Sequence, residues 1–314
     1  MDLRDIRKTY RGRIEALRGI SIDVRRGEIF GLLGPNGAGK STLVKIIMTI
    51  VRPSRSQGTV LDAPLGDRNT LRRVGYLPES HRFPPYLTGR QALDYYGALA
   101  RVPRRERRRR IGPLLDLVGM SDWASKRVSQ YSKGMQQRIG LAQSLINDPD
   151  LVFLDEPTDG VDPVGRREIR ESLNRLREEG RTIFLNSHLL HEVEMVCDRV
   201  AILDRGEVIR VGSIDELSSD SARFEIEFAG PAPAWAAEAK ETTLVESRDD
   251  RTTMTLSCRD AVEAQPVLDR LRSDGVVIRR FTPRADSLEE LFMKIVERSE
   301  GAPPAEPSAT EETA

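Results

Sequence analysis

The sequence predicts an α/β domain that carries a helical insertion and is followed by a smaller α+β domain. Short apolar runs alternate with helical patterns over 151–211, which is typical of a parallel sheet covered on both faces. Between about 88 and 148, apolar residues recur every three or four positions and predict only helices. After about 213, four strand-like runs and two helical patterns indicate a separate unit.

These patterns divide the 314 residues into three parts. The first domain is predicted over 1–215, with its helical subdomain at about 88–148, and the accessory domain over 216–300. Residues 301–314 are rich in Pro, Ala and Glu without an apolar pattern, which predicts a disordered tail.

Bulk composition restricts the class of function. Lys and Arg total 49 and Asp and Glu total 49, and this balance argues against a general nucleic-acid binder, so no nucleic-acid partner is expected. No run approaches the roughly 18 apolar residues of a membrane helix, and no secretory leader is visible. Cys197 and Cys258 are expected to be plain thiols, as in a reduced cytosolic setting.

A glycine-rich loop lies between a predicted strand and a predicted helix. In "GPNGAGKST" the spacing of Gly34, Gly39, Lys40 and Ser41 matches the phosphate-binding pattern of nucleoside triphosphatases. Glycines let backbone N–H groups approach an anion, Lys40 can reach the β- and γ-phosphates, and Ser41 can ligate Mg²⁺. The loop therefore indicates a nucleoside triphosphate and Mg²⁺, without indicating which machine uses them.

A second motif, "LVFLDEP" (151–157), places two acids after a buried strand. Asp155 at the strand tip can hold Mg²⁺ through water, and Glu156 can polarise an attacking water as a general base. The structural alternative is a strand that ends in acidic turn residues.

A third motif, "QYSKGMQQR" (130–138), predicts a helix start. Ser132 can cap the helix, and Gly134 brings the backbone close, so that free amides offer a second anion site. An ordinary capped helix is the alternative.

Taken in order, these motifs resemble those of the ATP-binding cassette (ABC) ATPases over about residues 1–215. "GPNGAGKST", "LVFLDEP" and "YSKGMQQR" resemble the Walker A, Walker B and signature motifs. "GYLPE", "TDGVDP" and "LNSHLLHEVE" resemble the Q-loop, D-loop and switch segments. The resemblance implies a P-loop NTPase fold with a mixed sheet core and a helical insertion.

The resemblance also implies site residues and cofactors, namely ATP and Mg²⁺. Glu156 corresponds to the catalytic glutamate, His188 to the histidine that senses the γ-phosphate, and Lys40 to the Walker A lysine. Ser41, Asp155 and Glu79 are the implied ligands of the metal or its waters. The implied nucleotide-binding residues are Tyr10, Gly34, Asn36, Gly37, Gly39, Lys40, Ser41, Thr42, Glu79, Ser132, Gly134 and Asp162.

The implied mechanism needs a second cassette. Two cassettes enclose two ATP molecules in a head-to-tail arrangement. Each ATP lies between the Walker A motif of one cassette and Ser132–Gly134 of the other cassette. A homodimer is expected. Two positions depart from the family pattern: Lys133 stands where a glycine is usual, and Glu79 stands where a glutamine is usual. Lys133 must either point away from the nucleotide or add charge near it.

A single cassette with a small α+β tail looks most like the ABC-2 type export subfamily. The resemblance implies a separate transmembrane permease and a cytoplasmic location, peripheral on the inner membrane through that permease. One alternative is a soluble ABC ATPase in translation or DNA maintenance, and another is a catalytically dead regulatory cassette. The arginine-rich segment 101–110 favours a solvated helix, with nucleic acid or anionic lipid as the alternatives.

Overall fold

The computed structural model describes residues 1–12, 14–219, 223–238, 242–248, 251–258, 260–284 and 288–293. The described chain forms two compact units that meet between Ile214 and Asp215. The tail predicted to be disordered, 301–314, lies outside the described residues.

A six-stranded sheet forms the centre of the first unit, in the order β10-β9-β3-β8-β7-β6. Its strands are β3 (Ile29–Leu33), β6 (Val74–Leu77), β7 (Leu151–Asp155), β8 (Thr182–Asn186), β9 (Arg199–Asp204) and β10 (Glu207–Ser213). Five of them run parallel, and β10 pairs antiparallel with β9. The mixed sheet core is therefore confirmed.

A second, antiparallel sheet has the order β2-β1-β4-β5. Its strands are β1 (Asp2–Tyr10), β2 (Ile14–Asp23), β4 (Arg55–Val60) and β5 (Ala63–Pro64). Side chains from this sheet, such as Leu3 and Leu17, share one apolar core with Phe30 of β3 and with Leu43 of helix α1 (Lys40–Ile47). Burying this apolar face fixes the phosphate loop between the two sheets.

Helices make up most of the insertion that the sequence predicted at about 88–148. They are α2 (Gly89–Leu99), α3 (Arg104–Leu117), a 3-10 turn at Val128–Gln130 and α4 (Lys133–Ser144). The start of α2 is a capping box, in which Thr88 accepts from the backbone of Gln91 and the Gln91 side chain accepts from Thr88 N–H. Two further helices, α5 (Pro163–Glu178) and α6 (Leu190–Glu194), follow β7 and β8.

Aromatic rings fill the middle of the large sheet. Phe184 on β8 lies between Phe30 on β3 and Phe153 on β7, with ring centroids 5.7 and 5.1 Å apart. All three side chains are fully buried. Because β3, β7 and β8 are apolar between their ends, the polar functional groups of this part of the sheet lie at the strand ends.

The second unit has a four-stranded antiparallel sheet in the order β12-β13-β11-β14. Alternate residues of β11, such as Phe224, Ile226 and Phe228, are buried, as expected for a sheet with one covered face. An α+β accessory unit is confirmed. Its elements are α7 (Ile214–Ser219, at the junction), β11 (Arg223–Ala229), α8 (Ala234–Glu238), β12 (Thr242–Arg248), β13 (Arg251–Ser257), α9 (Gln265–Ser273), β14 (Ile278–Arg284) and a helical stretch at 288–293.

In the described part of the chain, none of the helices combines the length and the apolar character needed to cross a bilayer.

Candidate functional site

The phosphate loop connects β3 to α1, and two of its glycines are required by close packing. A Cβ atom on Gly34 would lie 2.4 Å from the carbonyl oxygen of Leu203. Gly39 has a φ of +105°, and a Cβ there would lie 2.6 Å from the carbonyl oxygen of Ala16. The loop therefore keeps its shape because glycine alone fits at these points, and it presents backbone amides at the start of a helix.

Lys40, the first residue of α1, folds back over this loop. Its Nζ donates hydrogen bonds to the carbonyl oxygens of Gly34 at 2.6 Å and Pro35 at 3.2 Å. Burial lowers the pKa of Lys40, and the nearby carboxylates of Glu156, Asp155 and Glu79 oppose this shift. A buried ammonium with only carbonyl partners is suited to bind an incoming anion.

Asp155 ends β7, and its partner comes from the neighbouring strand. Asn186 at the end of β8 is paired in register with Asp155, and its Nδ2 donates to Asp155 Oδ1. Glu156 follows with a φ of +53°, a left-handed conformation that is uncommon for a non-glycine residue. The backbone N–H of Glu156 donates to Asn186 O at 2.8 Å, which holds this turn. Strain of this kind is concentrated at functional sites.

The side chain of Glu156 is only 10% exposed and contacts two polar groups. Ser187 Oγ donates at 3.2 Å, and His188 Nδ1 lies 2.9 Å from Glu156 Oε2. The His188 ring is about half exposed, so it reaches outward while it fixes the carboxylate. A carboxylate held in this way can accept a proton from a water molecule placed against it.

Negative charge exceeds positive charge at this point. Burial raises the pKa of Asp155, and the carboxylates of Glu79 and Glu156 raise it further, whereas Asn186 and Lys40 act in the opposite direction. Among the described residues, the buried Oδ1 of Asn186 has no hydrogen-bond partner. An excess of carboxylates with oxygen donors only is the chemistry that suits Mg²⁺, which keeps several waters and binds through one or two protein groups. The site therefore fits the expected metal.

The predicted second anion site lies at the start of α4. Ser132 is the N-cap residue, and its Oγ accepts from Met135 N–H at 3.2 Å. Gly134 packs closely against the loop between β7 and α5. A Cβ atom on Gly134 would lie 3.2 Å from Val161 Cγ1. In the described residues, no hydrogen bond or ion pair joins Ser132 to the phosphate loop. Within one chain, Lys40 lies near Asp155 and Glu156, and α4 is joined to this group by the hydrogen bond from Gln137 Nε2 to Glu156 O, not by Ser132.

Lys133, the first departure from the family pattern, lies over Gly160 in the loop between β7 and α5. Its Nζ forms an ion pair of 2.8 Å with Asp159 in the loop between β7 and α5. The second departure, Glu79, is exposed after β6 and is close enough to raise the pKa of Asp155.

The other sequence-predicted site residues lie at the edges of this arrangement. Tyr10 ends β1 and is exposed, with Lys8 Nζ 4.9 Å from its ring centroid. Asp162 is the N-cap residue of α5, makes no side-chain capping bond and is exposed. The remaining residues lie in the phosphate loop or the first turn of α1: Asn36, Gly37, Ser41 and Thr42.

The sequence reasoning missed four residues that contact this site. Asn186 and Ser187 bond Asp155 and Glu156, Gln137 Nε2 donates to Glu156 O at 3.4 Å, and Asp159 binds Lys133. Asn186 and Ser187 could have been predicted from the sequence. The segment "FLNS" ends a strand predicted to lie beside "LVFLD", and parallel strands end at the same edge of a sheet.

Two family profiles match the chain. One is the ABC transporter family, over residues 17–159. The other is the C-terminal domain of ATP-binding proteins like DrrA1-3, over residues 212–296.

Similar proteins carry matching descriptions. The chain is 50% identical to the uncharacterized ABC transporter ATP-binding protein sll0415 of Synechocystis sp. over 72% of this chain and 66% of that protein. It is 35% identical to Nod factor export ATP-binding protein I of Rhizobium meliloti over 95% of this chain and 88% of that protein. A dimeric post-hydrolysis structure of the ATP-binding cassette MJ0796 with ADP and phosphate superposes with a TM-score of 0.61 at 26% identity, covering 68% of this chain and 97% of that one. The chain therefore belongs to the ATP-binding proteins of ABC transporters, a family of ATPases.

Proposed function

We propose that this chain binds and hydrolyses ATP as one of two cassettes that drive a separate membrane permease, and that the transporter is an exporter. The observation that carries the proposal is the convergence of Lys40, Asp155 and Glu156 beside one glycine-rich loop, with His188 fixing Glu156. Export is supported by the Nod factor export protein, which aligns over 95% of this chain. The proposed location is the cytoplasmic face of the inner membrane.

In the proposed reaction, the loop amides and Lys40 bind the β- and γ-phosphates, and Tyr10 stacks on adenine. Lys40 leaves its carbonyl partners, so the cost of its burial is offset by a charge-assisted bond. Glu156 accepts the proton of the attacking water. His188, whose Nδ1 lies 2.9 Å from Glu156 Oε2, would contact the γ-phosphate.

The metal fits the same site. Ser41 and Asp155, with Glu79 through water, would hold Mg²⁺, and the ion would neutralise charge on the transferred phosphoryl group. Asn186 keeps the Asp155 carboxylate oriented toward that position.

A second copy of this chain would complete each site. Ser132 and Asp162 are exposed at helix starts, and in the described part of the chain no hydrogen bond or ion pair joins Ser132 to its own phosphate loop. Ser132 and Gly134 are therefore proposed to bind the ATP held by the partner, with Asp162 close to that partner's Walker A.

The permease is proposed to dock in a groove between the helical insertion and the large sheet. The groove has a volume of about 360 Å³, and its walls include Leu71, Leu99 and three arginines, Arg68, Arg72 and Arg101. No carboxylate lines it among the described residues. A groove that combines apolar side chains with three arginines and lacks a carboxylate among its described lining residues fits a short acidic, amphipathic segment of the permease.

Reversing the charge of two arginines in this groove is expected to weaken binding of the chain to the permease. Arg72→Glu with Arg101→Glu should weaken association with the permease at least tenfold, because both residues would then repel an acidic segment. The measurement is co-purification with a membrane protein encoded by an adjacent gene, together with permease-stimulated ATPase activity. The matched control is Arg25→Glu with Arg52→Glu, two exposed arginines outside the groove. Equal losses in both double variants would contradict the docking proposal.

The whole function is tested by the ATPase activity of the purified chain with that permease. Activity well above a Lys40→Ala control supports the proposal, and activity equal to that control would contradict it. The proposed domain limits, 1–215 for the cassette, with its helical subdomain at about 88–148, and 216–300 for the accessory domain, are supported by the division of the chain near Ile214.

A further inference from the structure

Lys133 departs from the usual pattern of the signature motif, and its side chain has a defined place. The ammonium lies 2.8 Å from Asp159 Oδ2 although the Lys133 side chain is 58% exposed. Its stem crosses Gly160, where a Cβ would lie 2.7 Å from Lys133 Cδ and Cε. Gly160 has a φ of +62°, so both its conformation and its lack of a side chain let the lysine lie over the loop.

Asp159 connects this lysine to the hydrolytic groups. The hydrogen bond from Lys133 lowers the pKa of Asp159. The backbone N–H of Asp159 donates to the carbonyl oxygen of Glu156 at 3.2 Å, and His188 Nδ1 lies 2.9 Å from Glu156 Oε2. A series of direct contacts thus runs from Lys133 at the start of α4 through Asp159 to the general base of the same chain.

Loop 158–162 packs against both α4 and α5. Val161 is buried between two glycines, since Cβ atoms on Gly134 and Gly165 would lie 3.2 and 2.6 Å from Val161 Cγ1. Gln137, one turn into α4, donates to Glu156 O at 3.4 Å. A shift of the α4 start therefore acts on loop 158–162 and on Glu156 together.

We infer that Lys133 is a positioning residue that, through Asp159, couples the α4 start, which binds the partner's ATP, to the Glu156–His188 pair, which acts on its own ATP. This inference rests on the proposed two-cassette function. Lys133 contacts neither nucleotide. Its role is to hold loop 158–162 so that closure of the dimer places Glu156 for hydrolysis.

Substitutions that remove or exchange the two charges test the coupling. Lys133→Met and Asp159→Asn are each expected to lower kcat about tenfold while KM for ATP changes less than twofold. The double variant should lose no more than either single variant, because both remove the same interaction. The charge exchange, Lys133→Asp with Asp159→Lys, should recover at least a third of wild-type kcat. Lys126→Met, an exposed lysine of the helical insertion, is the matched control and should keep wild-type kcat.

Multiplicative losses in the double variant, or single variants with wild-type kcat, would overturn the inference. The same substitutions in a Glu156→Gln background test the coupling separately from the proposed function. If Glu156→Gln dimerises with Mg-ATP, and Lys133→Met dimerises at the same ATP concentration in that background but lowers kcat in the otherwise wild-type chain, the coupling is supported. If Lys133→Met in that background needs several-fold more ATP to dimerise, Lys133 acts on nucleotide binding and the coupling fails. If both dimerise at the same ATP concentration and kcat is unaffected, the coupling fails while the proposed function stands. If Glu156→Gln does not dimerise and the wild type shows no ATPase above Lys40→Ala, both fail.

Discussion

Replacing Glu156 by glutamine is expected to lower the rate of ATP hydrolysis about 10²- to 10⁴-fold while ATP binding changes only a few-fold. The amide keeps the shape of the carboxylate and can still bond Ser187 and His188, which lie 3.2 and 2.9 Å away. It cannot accept the proton of the attacking water. The loss therefore belongs to the chemical step, and it should appear in kcat with KM for ATP nearly unchanged.

The measurement is steady-state phosphate release, paired with a nucleotide-binding titration. Glu171→Gln is the control, because Glu171 is an exposed carboxylate on α5 whose ion-pair partner among the described residues is Arg167. A loss of less than tenfold in the Glu156 variant would mean that another group activates the water, and the assignment of Glu156 as the base would be wrong.

Replacing Lys40 by methionine is expected to weaken ATP binding roughly 10- to 150-fold, since a hydrogen bond to a charged group contributes about 1.5–3 kcal/mol. Methionine fills similar space but provides no charge for the β- and γ-phosphates. The binding constant can be measured by fluorescence titration with a labelled ATP analogue. Wild-type affinity in this variant would contradict the role given to the loop.

Lys40→Met is expected to weaken ATP binding without lowering the stability of the nucleotide-free chain. Burial lowers the pKa of Lys40, so the folded chain disfavours the charged form. This cost is present below the lowered folded-state pKa and disappears as the pH rises past the ordinary value of 10.5. At neutral pH the Lys40→Met chain should therefore melt at the same or a higher temperature than the wild type, and Mg-ATP should raise the melting temperature of the wild type alone. A large loss of stability in the variant would show that Lys40 is mainly structural.

The elements that position the site were predictable because their patterns are local. The apolar runs of β3 and β7 end directly before the phosphate loop and at Asp155, and the structure places them within one sheet. Ser132 was expected to cap a helix, and it does so through Met135 N–H. Such features need only a few neighbouring residues and the chemistry of strand ends and helix starts.

Contacts between distant segments were not predictable from local patterns. The direction of Lys133 depends on Asp159 and on the bare backbone of Gly160, 26 and 27 residues along the chain. Likewise, the orientation of Asp155 by Asn186 depends on strand register across 31 residues. Pattern and composition specify which residues end each element, but pairing between elements is decided by packing of the whole sheet.

The central claim, that ATP joins two copies of this chain around shared sites, is tested most directly by the solution mass of Glu156→Gln with and without Mg-ATP. Multi-angle light scattering should give one chain mass, 35.2 kDa, without nucleotide and twice that mass with Mg-ATP, because bound ATP is no longer consumed. Lys40→Met in the same background should remain monomeric. A mass that stays at one chain with saturating Mg-ATP, in a protein shown to bind that nucleotide, would contradict the claim that two copies of this chain alone complete the sites.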